Sequence, residues 1–557
     1  MKKRLWIYPV LCLVWGGFLL GYFNYSTKKI PVDFSDLWFS KRPLPEKVAL
    51  NSYLAGNFAR TNHDLERAVD AYIQVLKMDP KNTPLLNDTY VLAMVQGSAE
   101  KILPFLNDIT QDKMMIDYTR IVARFRENNL DVALNQLNQK QPHILDPVLI
   151  PMVKAWIYAK QNNPKLALEA LDLLSKYPFI MGYQQVLLGT YFNDETLIQK
   201  GIVKIGDNDL PAIGYFPLLK KIISETGDWE KSALFKKYQE LAVNYPATAD
   251  LLVQIGQTDI SPEKGLAEAF YLASAIGGNG KLTREEAIAA NTLALFLQPD
   301  KQLSLVWGAE LSEGLELPKV ALSYYNRLAF NSATLTFKKA ATLMLTNNTA
   351  EALSLLSELE KTNKTNIPLL TLLGQAYQDQ NEREKALNTY NRLIPLLETN
   401  LKNKPLIQAY MTRGILYGSE ESDKMLSDLE KAKALDPENP MLLNDLGYHQ
   451  LENGLIDEGF SLVQKAYQKK PNDPYILDSM AFAYWKKGQA QMALPLEEKA
   501  LNLMPQSALI NAHLGDIYNS LGRHREANFQ YKKALDLKTD LTENLTQELN
   551  QKLKEKK

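Results

Sequence analysis

The strongest apolar pattern of the chain lies near its N-terminus, where residues 5–23 form a run of 19 uncharged positions after three cations at residues 2–4. As a helix, this run would be about 28 Å long, which is close to the hydrocarbon thickness of a bilayer. No small-residue cleavage site follows it, so we expect a retained transmembrane anchor over residues 1–26 in preference to a cleaved signal peptide. A linker is then expected over residues 27–47.

The charges that flank this run indicate how the anchor is oriented. Cations that precede a membrane helix usually stay in the cytoplasm, which would place the bulk of the chain on the opposite side of the membrane. Lys28 and Lys29 on the far side of the run weaken this bias. We therefore expect a single-pass membrane protein with most of its residues outside the cytoplasm, and the reverse orientation stays open.

Beyond the anchor, small side chains recur with a period of 34 residues, most clearly in three segments that begin at Pro440, Pro474 and Ala508. At the eighth position these segments hold Gly447, Ala481 and Gly515. At the twentieth they hold Gly459, Ala493 and Ala527, and at the twenty-seventh they hold Ala466, Ala500 and Ala534. Small residues at these spacings let the two helices of a hairpin approach closely, and a proline near position 32 ends the second helix. The pattern predicts helical hairpins that stack side by side.

The rest of the chain follows this pattern less regularly, through small residues twelve positions apart such as Ala155 with Ala167. In chain order we predict partly degenerate hairpins over 48–260, with an irregular insertion near 180–213, then middle hairpins over 261–400, regular repeats over 401–536, and a capping helix with a polar tail over 537–557. The capping helix is predicted because Leu541, Leu545, Leu549 and Leu553 recur every four residues. Such a stripe covers the exposed core face of a last hairpin.

The small-residue frames, with large residues such as Tyr518 and Tyr531 around them, resemble the tetratricopeptide repeat family, abbreviated TPR. The resemblance implies an all-α fold, a right-handed superhelical solenoid of TPR-type hairpins after the N-terminal transmembrane helix. The segments LNDLGY at 443–448, DPYILDS at 473–479 and HLGDIY at 513–518 also resemble envelope-associated TPR proteins of proteobacteria. That likeness implies a bacterial inner-membrane location with the repeats in the periplasm.

Composition and motifs argue against several classes of chemistry. A net charge of -1 gives no reason to expect a nucleic-acid partner. Cys12 is the only cysteine, which excludes disulfides within the chain and cysteine-ligated metal centres. The glycine-rich segment 277–283 fails the phosphate-loop pattern and is interpreted as a turn between two helices. We find no catalytic, cofactor-binding or metal-ligating set and expect a protein that is not an enzyme.

A stripe along the first helix of each hairpin is the predicted partner-binding surface, because it faces away from the second helix and lines the concave groove of a solenoid. In the last three repeats it includes Asn444, Tyr448, Tyr475, Asp478, Phe482, Trp485, Asp516 and Asn519. Aromatic rings beside amides and carboxylates can hold an extended peptide. The other interpretation is that these rings pack between neighbouring first helices.

These observations lead to two functional hypotheses. The first is a non-enzymatic scaffold in the bacterial envelope that binds peptide segments of other proteins, for envelope assembly or polysaccharide export. The second is a regulatory adaptor that faces the cytoplasm and delivers substrates to a membrane protease or a translocase. A phosphatase fusion at the C-terminus would separate them, because it is active only outside the cytoplasm.

Overall fold

The computed structural model describes residues 50–109, 115–206, 260–277, 282–329, 332–399, 403–418, 421–537 and 543–554. All secondary structure in these residues is helical, as predicted. They fall into two compact units that divide between Thr362 and Asn363, called here the N-terminal and C-terminal units. The predicted anchor and linker lie outside the described residues. Within the described ranges, no helix is both long and apolar enough to cross a membrane.

The N-terminal unit consists of helices joined mostly as hairpins. They are α1 (Leu50–Thr61), α2 (Leu65–Met78), α3 (Thr83–Gln96), α4 (Ile116–Arg126), α5 (Leu130–Gln139), α6 (Asp146–Lys160), α7 (Pro164–Asp172), α8 (Pro178–Phe192), α9 (Glu195–Gly206), α10 (Pro262–Gly277), α11 (Arg284–Leu297), α12 (Gln302–Gly314), α13 (Pro318–Tyr325), α14 (Ala333–Leu345) and α15 (Thr349–Glu360).

Departures from a regular repeat occur in this unit. Two 3-10 helices, Ala99–Lys101 and Leu103–Asp108, follow α3 where a second α-helix would be expected. By contrast, α8 and α9 form a close hairpin in the region where an irregular insertion was expected, and residues 207–213 lie outside the described part. A Cβ on Gly182 would be 2.7 Å from the carbonyl oxygen of Gly201, so the two backbones touch. The glycine-rich segment connects α10 to α11, and Thr283 caps α11.

The hairpin of α10 and α11 packs against α3, α4, α6 and α8, which lie far earlier in the chain. The Thr292 hydroxyl donates a hydrogen bond to the carbonyl oxygen of Met94 at 2.8 Å, across 198 residues. The ring of Phe270 meets that of Tyr118 edge-on, with 5.9 Å between centroids. Helix α10 is apolar almost all around, and such a helix has to be covered on several sides. This unit therefore differs from a stack in which each hairpin touches only its neighbours.

Trp156 on α6 shows how closely the hairpin of α10 and α11 packs on the earlier helices. Its indole is fully buried and lies directly over Gly265, where a Cβ would be 2.2 Å from the ring. The indole N–H donates to Gln184 Oε1 at 2.8 Å. Because α10 and α11 occupy this face of the earlier helices, that face is not open to a partner.

Replacing Thr292 by Val should lower the free energy of unfolding of the N-terminal unit by about 1–2 kcal/mol, because a buried hydrogen bond is lost without a change in shape. Hydrogen–deuterium exchange of α3 and α11 peptides measures the effect. Thr190→Val is the matched control, since the only hydrogen bond that the Thr190 hydroxyl makes in the described part of the chain is to the Val186 carbonyl oxygen on its own helix. This variant should cost less than about 0.5 kcal/mol. Equal effects of the two variants would contradict the role given to Thr292.

The C-terminal unit is a regular succession of hairpins. Its helices are α16 (Ile367–Asp379), α17 (Arg383–Thr399), α18 (Asn403–Tyr417), α19 (Ser422–Leu435), α20 (Pro440–Glu452), α21 (Ile456–Lys469), α22 (Pro474–Lys486), α23 (Ala490–Leu503), α24 (Ala508–Ser520), α25 (His524–Leu537) and α26 (Glu543–Lys554).

Small residues hold the paired helices of this unit together, as their spacing predicts. A Cβ on Gly459 would be 2.6 Å from the Gly447 carbonyl oxygen, so α20 and α21 touch through their backbones. In the last hairpin the ring of Tyr531 lies directly over Gly515. The registers of these hairpins are therefore set by contacts that a larger side chain would block.

Helix α26 packs on the last hairpin. Leu549 is fully buried in a cluster with Tyr518 and Tyr531, and Lys552 Nζ lies 2.6 Å from Asp516 Oδ1. Leu541 lies outside the described residues.

Candidate protein-binding surface

The eight predicted binding residues lie on α20, α22 and α24, which are the first helices of three consecutive hairpins. Each of these helices starts at a capped N-terminus, where the side chain of Asn439, Asp473 or Ser507 accepts hydrogen bonds from backbone N–H groups of the first turn. Helix α22 contacts both α20 and α24. The three first helices therefore form a continuous surface.

Four rings from these helices pack on one another. We call them the aromatic stack: Tyr448, Phe482, Trp485 and His513. The Phe482 centroid is 5.1 Å from that of Tyr448, 5.6 Å from that of Trp485 and 4.8 Å from that of His513. These are the separations of favourable ring contacts. The structure thus shows rings packed between neighbouring first helices, the second of the two interpretations of the stripe.

The predicted residues differ in how far solvent reaches them. Asn444 and Asp478 are 5% exposed and Phe482 is 6% exposed, so these three are buried. Tyr475 is 40% exposed. Tyr448, Trp485, Asp516 and Asn519 are half-buried. The stripe consequently has a buried base and a partly exposed outer layer, and partner binding by its residues stays a prediction.

Hydrogen bonds fix the half-buried members in place. The Trp485 indole N–H donates to Ser520 Oγ at 2.7 Å. Asp516 Oδ1 accepts a hydrogen bond of 2.7 Å from the Tyr531 hydroxyl and also pairs with Lys552. Asp516 is therefore tied to the last hairpin and its cap.

A lysine lies beside the exposed edge of the aromatic stack. Lys486 Nζ is 5.0 Å from the Phe482 ring centroid and 5.3 Å from that of Trp485, within the range of cation–π interactions. The Lys486 side chain is exposed. The surface therefore presents an aromatic ring next to a positive charge.

His513 of the aromatic stack also belongs to a buried group of three ionisable side chains from α22, α23 and α24, called here the Asp–Glu–His cluster: Asp478, Glu497 and His513. The Asp478 Oδ1 and His513 Nδ1 atoms are 2.7 Å apart. One oxygen or nitrogen atom of each residue lies within 4.8 Å of the others. Glu497 is fully buried.

Burial and charge shift the protonation of these groups. Burial raises the pKa of Glu497 well above its ordinary value, and the Asp478 carboxylate raises it further. Burial lowers the pKa of His513, but the charge of Asp478 and the hydrogen bond to it outweigh burial, so that this pKa is raised in sum. Burial also raises the pKa of Tyr448, whose hydroxyl lies 3.4 Å from His513 Nε2.

Glu497 and His513 were not among the residues singled out from the sequence. The repeat frame contains a signal for Glu497, which occupies position 24, where the flanking repeats have Val463 and Tyr531. A carboxylate at a position that is otherwise apolar is unusual enough to mark a site. His513 carries no such signal in its spacing, because its partner Asp478 is 35 residues away.

Part of the C-terminal unit matches a known family of repeats. Residues 508–541 match the family model described as tetratricopeptide repeat. No curated protein matches the sequence. The match identifies residues 508–541, which include α24 and α25, as a TPR, a repeat class that generally binds other proteins and is typically a non-catalytic scaffold.

Solved structures of TPR type are also similar to this chain. A tetratricopeptide repeat protein from Parabacteroides merdae is 19% identical, over 45% of this chain and 98% of its own, with a TM-score of 0.37. The APC/C hetero-tetramer Cut9–Hcn1 is 15% identical, over 93% and 98%, with a TM-score of 0.36. MamA from Desulfovibrio magneticus is 18% identical, over 31% and 94%, with a TM-score of 0.25.

Proposed function

We propose that this protein is a scaffold of the bacterial envelope, held in the inner membrane by residues 5–23, whose C-terminal unit binds extended peptide segments of other proteins on the periplasmic side. Envelope assembly and polysaccharide export are the processes that such a scaffold would serve. The TPR match supports the scaffold role. The apolar run and its preceding cations support the membrane attachment.

The observation that carries the binding proposal is the partly exposed edge of α22 above a rigid base. Tyr475 and Trp485 lie ten residues apart on this helix, a separation of about 15 Å that spans four to five residues of an extended peptide. Trp485 is held by Phe482 beneath it and by Ser520 beside it. A ring that is already ordered loses little conformational entropy when a partner binds.

The division between buried and exposed residues refines the roles of the stripe. Tyr475, Trp485 and Asn519 would touch the peptide, whereas Phe482 and Asp478 would support the surface from below. Lys486 adds a positive charge beside Trp485, which favours a peptide that carries a carboxylate near its aromatic or apolar anchor.

Replacing Trp485 by Ala should reduce the recovery of crosslinked partners from membranes at least about tenfold, since truncation of a central tryptophan commonly costs about 2 kcal/mol or more. A photo-crosslinking residue at position 519 in the full-length chain, followed by mass spectrometry, measures this. Phe529→Ala is the matched control, because Phe529 is 63% exposed on the second helix of its hairpin. Undiminished crosslinking in the Trp485 variant, or an equal loss in the control, would contradict the proposal that this surface binds the partner.

The location of the repeats is tested independently of binding. An alkaline phosphatase fused to the C-terminus is expected to be active, because that enzyme folds only outside the cytoplasm. An inactive fusion with an active cytoplasmic reporter would favour the adaptor that delivers substrates to a membrane protease or translocase.

A further inference from the structure

Glu497 is an anomaly within the repeat. Its side chain is fully buried in α23, and neither carboxylate oxygen meets the geometry of a hydrogen bond with the described residues, although Asp478 is near enough to share a proton with it. Two neighbouring buried carboxylates cannot both be ionised at low cost, and buried charges in proteins are normally paired or coordinate metal ions. Glu497 and Asp478 would therefore both be stabilised in their ionised forms by a cation bound between them.

The surroundings of Glu497 supply the other ligands of such a group. Asp478 on α22 and His513 on α24 each point one ligand atom into the same space, and these atoms and one Glu497 oxygen lie within 4.8 Å of one another. Ligand atoms around a tetrahedral zinc ion are about 3.4 Å apart, as follows from metal–ligand distances of about 2.0–2.2 Å. The 2.7 Å contact between Asp478 and His513 would have to open by less than about 1 Å, and ligand atoms as far apart as 4.8 Å would have to close by up to about 1.4 Å.

The next layer of residues orients the imidazole for this role. The Tyr448 hydroxyl lies 3.4 Å from His513 Nε2, and Nδ1 is the nitrogen that faces Asp478. In metal-binding histidines, the nitrogen that does not bind the metal usually forms a hydrogen bond with a neighbouring group. The Phe482 ring packs against the imidazole, with 4.8 Å between their centroids, and is itself only 6% exposed.

We propose that Asp478, Glu497 and His513 form a binding site for one divalent transition-metal ion of the zinc class. Two carboxylates and a neutral imidazole balance the charge of a divalent ion within a buried space. The imidazole nitrogen and the small ligand number fit zinc and its neighbours, whereas calcium takes six to eight oxygen ligands and magnesium six. The ion would join α22, α23 and α24, and the inference does not depend on the proposed function.

Metal content is the direct test. Full-length protein stripped with EDTA and titrated with Zn²⁺ against a chromophoric chelator is expected to bind one equivalent and to melt about 5 °C higher. Glu497→Gln, which keeps the side-chain volume, should lose this equivalent and the shift, while its melting temperature in EDTA stays at or above that of the unaltered chain. Glu458→Gln and His524→Ala alter exposed residues of the same unit and should keep both.

The Tyr448→Phe variant tests the site independently, in case the Glu497 variant misfolds. It leaves all three ligands in place and should weaken zinc binding at least about tenfold, because only the group that orients His513 is removed. Retention of the zinc equivalent by Glu497→Gln would overturn the proposal. So would the absence of a zinc equivalent in the unaltered chain, or a Tyr448 variant with unchanged affinity.

Discussion

Replacing Asp428 by Ala is expected to lower the free energy of unfolding of the C-terminal unit by about 3–5 kcal/mol. Asp428 on α19 is buried and accepts two hydrogen bonds of 2.7 Å from Arg413 on α18. The side chains of Arg413 and Asp428 are only 14% and 3% exposed. Without Asp428 the guanidinium stays largely buried and lacks its counter-charge, and that uncompensated charge accounts for most of the loss.

A second ion pair on α19 provides the control for this prediction. Glu430 and Lys433 lie 3.4 Å apart on the exposed face, so Glu430→Ala should cost no more than about 0.5 kcal/mol. Replacing both members of the buried pair by apolar side chains, in the double variant Arg413→Met with Asp428→Leu, should recover most of the stability. Hydrogen–deuterium exchange of α18 and α19 peptides follows all three variants. A loss below about 1 kcal/mol for Asp428→Ala would show that the pair is solvated.

Replacing Gly459 by Val is expected to cost about 3 kcal/mol or more, because the added atoms have no room to fit between α20 and α21. The Cβ alone would be 2.6 Å from the Gly447 carbonyl oxygen and 2.7 Å from Leu451 Cγ. A backbone carbonyl cannot swing aside as the end of a long side chain can. The two helices would have to separate, and α20 carries Tyr448 of the aromatic stack.

Ser461→Val tests whether the effect comes from the site or from the residue type. Ser461 lies on the exposed face of the same helix, and serine and valine have similar helix propensities, so this variant should change stability by less than about 0.5 kcal/mol. Urea unfolding with exchange detection in α20 and α21 compares the two. If Gly459→Val were as stable as Ser461→Val, close backbone contact would not be what holds the hairpin together.

The regular repeats were predictable because their packing is local. Gly447, Gly459 and Gly515 lie at fixed spacings, and each spacing places a small residue where two helices cross. The contact partner is always on the same hairpin, so a periodic pattern contains all the information needed. The same reasoning placed the predicted binding stripe on α20, α22 and α24, although it could not tell that Phe482 and Asp478 would be buried.

Contacts between distant segments could not be predicted in this way. Nothing in the spacing of Thr292 links it to Met94, and the burial of Trp156 against Gly265 depends on the path of more than a hundred intervening residues. Apolar character all around α10 indicates that the helix is covered, but it does not identify the covering surface. The Asp–Glu–His cluster is an intermediate case, because Glu497 is visible in the repeat frame and His513 is not.

The long-range packing of the N-terminal unit has a consequence for its synthesis. A ribosome that has just completed α3 must still add the 198 residues that separate Met94 from Thr292 before the covering hairpin exists. At about 5–20 residues per second this takes roughly 10–40 s. Until then the apolar faces of α3, α4 and α6 lack the hairpin that buries them in the finished unit, so the core of this unit cannot be completed before Leu297 has been added.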